Sequence, residues 1–172
     1  MSLIAPEGFL LGAIAGAFAI PLRSRATAEH SISIDTRFGS IALAEREILD
    51  TPDGLPGFEN SRRFVLIDLE SPRFSPFLML QGIDGGGPSL AVLPLDMRCR
   101  LYESADVTAA AHGLGIRPAD CGLLVVATIR KADGGVSVTV NQRAPILVDL
   151  DRRLAWQRVL ANDRYAIRHR LR

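Results

Sequence analysis

From Ser31 onward the apolar positions recur in steps of two. Ile32 and Ile34 alternate with Ser31, Ser33 and Asp35; Arg37-Phe38-Gly39 reads as a turn; Ile41 and Leu43 resume the alternation. That is the pattern of a β-hairpin. Further β-prone runs lie at Phe64–Ile67, Phe77–Gln81 and Leu90–Leu95, separated by Asp68, by Ser75-Pro76 and by Gly85-Gly86-Gly87-Pro88. Leu123–Ile129 is an apolar, β-branched run, the pattern of a central strand. Gly134-Gly135 turns the chain into Val136, Val138 and Val140, which alternate with Ser137 and Thr139, and Ile146–Val148 and Ala155–Val159 complete the set. Pro56, Pro72, Pro76, Pro94 and Pro145 belong at strand ends or edges, because a proline nitrogen donates nothing to a ladder.

One segment reads as helix, Ala105–His112. Ser104 is its candidate N-cap, Asp106 suits the positive end of the helix dipole, and Gly113 or Gly115 stops it. His112 at the far end suits a C-terminal cation better than a base. Eight or more short strands with turns between them and a single helix predict a mainly β fold: a small antiparallel β-barrel-like or sandwich domain, spanning residues 31–172.

Residues 1–30 are a separate N-terminal extension. Phe9–Leu22 is apolar but interrupted by Gly12, Gly16 and Pro21, and it falls short of the roughly 20 residues of a membrane-spanning helix. Glu7 precedes the run and Arg23 and Arg25 follow it, the reverse of a signal peptide's charge order, although Ala26-Thr27-Ala28 resembles a cleavage site. Three readings stay open: a spurious or disordered extension, a tail that packs on a partner or membrane, and an export signal.

Charge refines this picture more than overall composition does. The 172-residue chain has 20 basic and 19 acidic residues, and Lys131 is the sole lysine. From Asp151 to Arg172 seven arginines face two aspartates, whereas Ile32–Leu150 has eleven basic and fifteen acidic residues. The body is thus mildly acidic and the C-terminal strip basic. A basic strip without interleaved aromatics is a poor nucleic-acid signature and reads first as a solvated edge. Cys99 and Cys121 share no Cys-x-x-Cys spacing and have apolar neighbours, which fits buried free thiols.

Catalytic chemistry is hard to find. His30, His112 and His169 lie in different segments without ligand partners at metal spacing. No Gly-x-Ser-x-Gly elbow occurs, and no Gly-Lys-Ser/Thr follows Gly85–Gly87. Glu45 with Glu47, and Asp149 with Asp151, stand next to turns and read as solvated charge. The expectation is a binding protein, not an enzyme, with no metal and no cofactor.

Five words in fixed order carry a resemblance. They are Thr36-Arg37-Phe38-Gly39; Gly54-Leu55-Pro56-Gly57-Phe58-Glu59 with Arg63-Phe64-Val65-Leu66; Ser75-Pro76-Phe77-Leu78-Met79-Leu80-Gln81; Asn141-Gln142-Arg143-Ala144-Pro145-Ile146; and Val159-Leu160-Ala161-Asn162-Asp163-Arg164-Tyr165. Together, over about Ile34 to Leu171, they resemble the flagellar assembly factor FliW family. The chain departs from that pattern at Gly85-Gly86-Gly87 and at Met97–Arg100. The resemblance implies a small β-barrel and a cytoplasmic regulator. Such a regulator binds flagellin and the translational repressor CsrA, and so couples flagellin synthesis to secretion. It implies neither direct nucleic-acid binding nor a membrane role, unless the apolar run at Phe9–Leu22 is native. The alternative from the basic strip is a small β-barrel module that binds a ligand or nucleic acid.

Within these words, Gly54 and Gly57 are expected to supply positive φ around a stiffening Pro56, with Leu55 and Phe58 turned inward. Asn141 is expected to hold a turn, Pro145 to mark an edge, Asp163 to pair with Arg164, and Tyr165 to anchor the last strand. The candidate partner-binding residues are Phe58, Asn141, Arg143, Arg164 and Tyr165.

Overall fold

A computed structural model describes residues 31–36, 39–69, 71–72, 74–97, 99–132 and 135–171. The turn expected at Arg37-Phe38 and the N-terminal extension lie outside these residues. Two strands, β1 (Ser31–Thr36) and β2 (Gly39–Ala44), form the expected hairpin. They are followed by β3 (Ile48–Asp50), β4 (Arg63–Ile67), β5 (Leu78–Gly82) and β6 (Ser89–Leu95). Helix α1 (Ser104–Gly113) comes next, then β7 (Cys121–Ala132), β8 (Gly135–Val140), β9 (Ile146–Asp149), β10 (Leu154–Gln157) and β11 (His169–Arg170).

Seven of these strands close into a ring: β3, β4, β5, β6, β7, β9, β10 and back to β3. Every neighbouring pair is antiparallel except β3 and β10, which meet in parallel at Asp50 and Leu154. The exception follows from counting. Directions cannot alternate all the way around a ring with an odd number of strands, so one parallel contact is forced. The barrel is therefore the expected mainly β fold, with one seam that the word antiparallel does not cover.

Twelve-residue β7 serves two structures in turn. Its first half pairs with β6 on one side (Leu123↔Leu95 to Val126↔Val92) and with β9 on the other (Cys121↔Asp149 to Leu124↔Ile146). Its second half leaves the barrel and pairs with β8, which carries β11 on its far side. Beside β7, β8 and β9 are nearly one continuous strand. Between the pairs Ala127↔Val140 and Leu124↔Ile146, residues 141–145 stand opposite only Val125 and Val126. The Asn-Gln-Arg-Ala-Pro word is thus a large bulge.

Two apolar layers explain the continuous hydrophobic run in β7. Phe64, Leu80, Val92, Leu124 and Ile146 alternate into the barrel interior. The adjacent residues Leu93, Leu123, Val125 and Leu147 face outward, where Val107 and Ala111 of α1 cover them together with Tyr102, Leu160 and Tyr165. A strand buried on both faces has no reason to alternate. On another sector the β1–β2 hairpin places Ile34 and Leu43 over Val65, Ile67 and Met79.

Several local expectations change. The N-cap of α1 is Glu103, and Ser104 is the first helical residue. The helix ends through Gly115 at φ +68, the left-handed geometry that favours glycine. Pro94 lies inside β6, beyond Val92, where only β7 pairs with that strand among the described residues. Pro145 is not at an edge: it precedes β9, which is flanked by β7 and β10, and its carbonyl accepts from Arg158 N–H at 3.0 Å. Val159 lies outside β10 and is exposed.

Glu47 and Asp149, expected as solvated charge, are buried. A Glu47 carboxylate oxygen accepts from Ala44 N–H at 2.7 Å. Asp149 organises the β9–β10 turn. It accepts from the Asp151 and Arg152 amides at 3.1 and 2.8 Å and from Arg152 Nε at 2.6 Å, and this holds a turn in which Arg153 has φ 57. Burial alone would raise the Asp149 pKa, but the Arg152 amide and guanidinium and the Asp151 amide together bring it below the usual carboxylate range. A depressed folded-state pKa stabilises above the unfolded value of about 3.9, and that contribution is lost as pH falls through the lower folded value. Asp149→Asn is thus expected to lower unfolding free energy at pH 7 by about 1–3 kcal/mol. The gap between variant and wild type should shrink below about pH 4. Denaturant melts of both proteins from neutral to acid pH check this, and a pH-independent gap would refute the assignment. Cys121 is buried and Cys99 half-buried, both as free thiols; burial pushes the Cys121 pKa up to about 11.

Candidate functional site

Four of the five candidate residues converge. The bulge after β8, the N-terminus of α1 and the segment leading into β11 meet on the outer face of the barrel. Asn141 holds the bulge from within: its Oδ1 accepts from Ala144 N–H at 3.2 Å, and its own N–H donates to Val126 at 2.9 Å. Arg143 reaches across, donating to the Asn162 carbonyl at 3.1 Å and to Asp163 at 2.7 Å. The backbone repeats the link, with Leu160 N–H donating to Arg143 O at 2.9 Å and Gln142 N–H to Ala166 O at 3.0 Å. Residues 158–168 are therefore a strap laced to the bulge.

Tyr165 fastens the strap to the helix. Its hydroxyl donates to Asp106 Oδ2 at 2.6 Å and accepts from Glu103 N–H at 3.1 Å. Asn162 Nδ2 donates to the same Asp106 oxygen at 3.1 Å. A helix leaves its first amides without intrahelical partners, and the tyrosine oxygen takes up one at the cap position that no side chain of the helix supplies. The Tyr165 ring lies 5.1 Å from Tyr102, whose hydroxyl donates to Gln142 O at 3.1 Å. Burial first, and then the hydrogen bond to Asp106, raises the Tyr165 pKa; burial also raises that of Tyr102. Both hydroxyls are held by fixed partners within the chain, so the arrangement is a clasp.

Asp163 and Arg164 do not pair with one another. Asp163 meets Arg143, and Arg164 meets Glu103 at 2.9 Å, with both side chains more than half exposed. The exposed Arg164–Glu103 pair contributes about 0–1 kcal/mol. Tyr165 anchors α1 and the strap, not a strand. Sequence reasoning missed Glu103, Tyr102 and Gln142 as members of this cluster; Gln142, inside the Asn-Gln-Arg-Ala-Pro word, was the available signal.

Phe58 stands apart, in the loop between β3 and β4. Leu55 is 1% exposed and fills the barrel, whereas Phe58 is 41% exposed and is not the inward plug the sequence suggested. The two bridge each other, with Phe58 N–H donating to Leu55 O at 2.8 Å. That closes a tight turn with Gly54 at φ +70 and Gly57 at φ +85, which places Leu55 inward and Phe58 outward. The loop touches the strap through Asp53 and Arg158 at 3.5 Å. Among the described residues no group of three or more His, Cys, Asp or Glu could hold a metal, and no helix is long and apolar enough to cross a membrane.

This architecture has relatives. Residues 33–171 match the family model described as FliW protein. The flagellar assembly factor FliW of Geobacter sulfurreducens is 34% identical over 136 residues, covering 78% of this chain and 82% of that protein. Its counterpart in Anoxybacillus flavithermus is 28% identical over 142 residues, covering 81% and 94%. A crystal structure of the flagellar assembly factor FliW superposes with a TM-score of 0.64 at 28% identity, over 82% of this chain and 96% of that one.

Proposed function

The chain belongs to the FliW family of flagellar assembly factors, and from that premise we propose that it binds flagellin and antagonises CsrA in the cytoplasm. One observation supports the reading: the family match spans the barrel, α1 and the strap together. In this reading the protein is a limiting component shared by two partners. Free flagellin captures it and releases CsrA; secretion of flagellin returns it to CsrA. Such a switch needs only complexes that exclude each other, or a negative coupling between two sites, which linkage makes reciprocal.

The clasp residues Arg143, Arg164 and Tyr165 direct polar groups to Asn162, Asp163, Glu103 and Asp106 of the same chain, which favours a scaffold role for them. Phe58 is the candidate that offers an unsatisfied apolar surface to a partner. Purified protein mixed with cognate flagellin or CsrA is expected to co-elute with each on a sizing column, and excess flagellin is expected to displace CsrA. Co-elution with neither would refute the proposal. Phe58→Ser should weaken at least one complex about tenfold or more if this side chain is a contact hot spot, with the melting temperature little changed.

A further inference from the structure

The part of the molecule that the barrel does not need is the projecting sheet of β7 beyond Val126, β8 and β11. Pairing between β7 and β6 ends at Val126, so from Ala127 onward β7 has a paired strand on the β8 side only, among the described residues. Val126 C=O points toward β8, where it accepts from Asn141 N–H. The backbone groups of Ala127, Ile129 and Lys131 alternate with it and turn to the open side.

The two faces of this sheet differ in chemistry. Thr128, Arg130, Ser137, Thr139 and Arg170 share one face by register. Ile129 and Val136 on the other face are 38% and 41% exposed and share it with Lys131, the register partner of Val136, and Ile167 nearby in sequence is 67% exposed. Among the described residues the ion pairs lie on the barrel and the strap, and none involves Arg130, Lys131, Arg168 or Arg170. Residues 127–132, 135–140 and 166–171 include no acid, and Asp133 lies outside the described residues. Among the described residues the sheet thus presents cations without an ion-pair partner, exposed aliphatic surface and an open strand edge in one place.

We propose that this extension docks an extended polypeptide segment with alternating acidic and apolar side chains, added as a strand along the open edge of β7. Backbone hydrogen bonds to Ile129 and Lys131 would continue the sheet. On the incoming strand, successive side chains fall on opposite faces. Those on one face meet Arg130 and so are acidic; those on the other meet Ile129 and so are apolar, with Lys131 next along that same face. Nucleic acid is the weaker fit. The described part of the extension has no Phe, Tyr or Trp on which a base could stack, its one ring being the half-buried His169, and a phosphate chain would leave Ile129 and Val136 uncovered. The inference does not depend on flagellin or CsrA being partners.

The test uses the full chain and a fluorescent synthetic peptide of about ten alternating Glu and Val residues, the length of a long strand. A Lys/Val peptide of the same pattern and a single-stranded oligouridine of similar length serve as the other arms. The Glu/Val peptide alone is expected to bind, with affinity falling about tenfold from low to high salt. The double variant R130E/R170E should lose at least about tenfold in affinity, and I129E should do likewise, each with the wild-type melting temperature. If R130E/R170E fails to fold, the milder R130Q/R170Q takes its place with the same expected direction. The proposal is overturned if the Glu/Val peptide does not bind at about 1 mM. Equal binding by the Lys/Val peptide, affinity unchanged in the variants, or oligouridine binding that R130E/R170E abolishes would each overturn it too.

Discussion

Tyr165→Ala is expected to lower unfolding free energy by about 3–5 kcal/mol, the range for removing a large buried aromatic side chain. The ring is 5% exposed and packs against Tyr102, and its hydroxyl closes the clasp between Asp106 and Glu103. Since domains of this kind are stable by only about 5–15 kcal/mol, such a loss takes away a large share of the margin. Tyr165→Phe separates the two contributions. It keeps the ring and strands the Glu103 amide, at an expected cost of about 1–3 kcal/mol. Chemical denaturation of the three proteins measures both. A Tyr165→Phe variant as damaged as Tyr165→Ala would show that the hydroxyl, not the packing, holds the strap. A harmless Tyr165→Ala would mean that the strap is not fastened there at all.

Gly54→Ala should be markedly worse than Gly57→Ala, although both glycines have positive φ. A Cβ at Gly54 would lie 2.7 Å from Glu59 Cα and 2.8 Å from Glu59 O, both backbone atoms, while a Cβ at Gly57 meets nothing within 4 Å. Gly57→Ala therefore carries only the left-handed strain, about 1–2 kcal/mol. Gly54→Ala adds a steric conflict that only a shift of the 54–59 turn can relieve, for a total of about 3–5 kcal/mol. Because that turn seats Leu55 in the barrel, the variant should also lose protection there. Thermal melts rank the pair. Equal losses would mean that the turn yields freely around Glu59.

The strands were legible because period-two patterning and glycine- or proline-rich breaks report directly on a pleated, half-buried backbone. Val136, Val138 and Val140 alternating with Ser137 and Thr139 became β8. The three-residue β3 and two-residue β11 were too short to show a period. Phe58 illustrates a different limit. Its type argues for burial, but the bridge between Leu55 and Phe58 fixes which of two apolar side chains points inward, and no property of the residues alone decides that. Likewise, Asp163 and Arg164 are neighbours in sequence, yet the strap sends one to Arg143 and the other to Glu103. The bulge at residues 141–145 was visible as a motif, but its nature appeared only once β8 and β9 were both seen beside β7.

The parallel seam has a consequence for how the protein is made. β10 is the strand that links β9 to β3, and it is the last of the seven ring strands in chain order. A nascent chain can pair β3 through β7 in order as they emerge, each with its predecessor in the ring. The last gap stays open until Leu154–Gln157 has been translated. A product truncated before Leu154 would carry two exposed ladder edges, one on β3 and one on β9, both able to template misassembly. The edge that β3 exposes from the start of the ring is therefore covered only when β10, the latest of the seven strands, arrives.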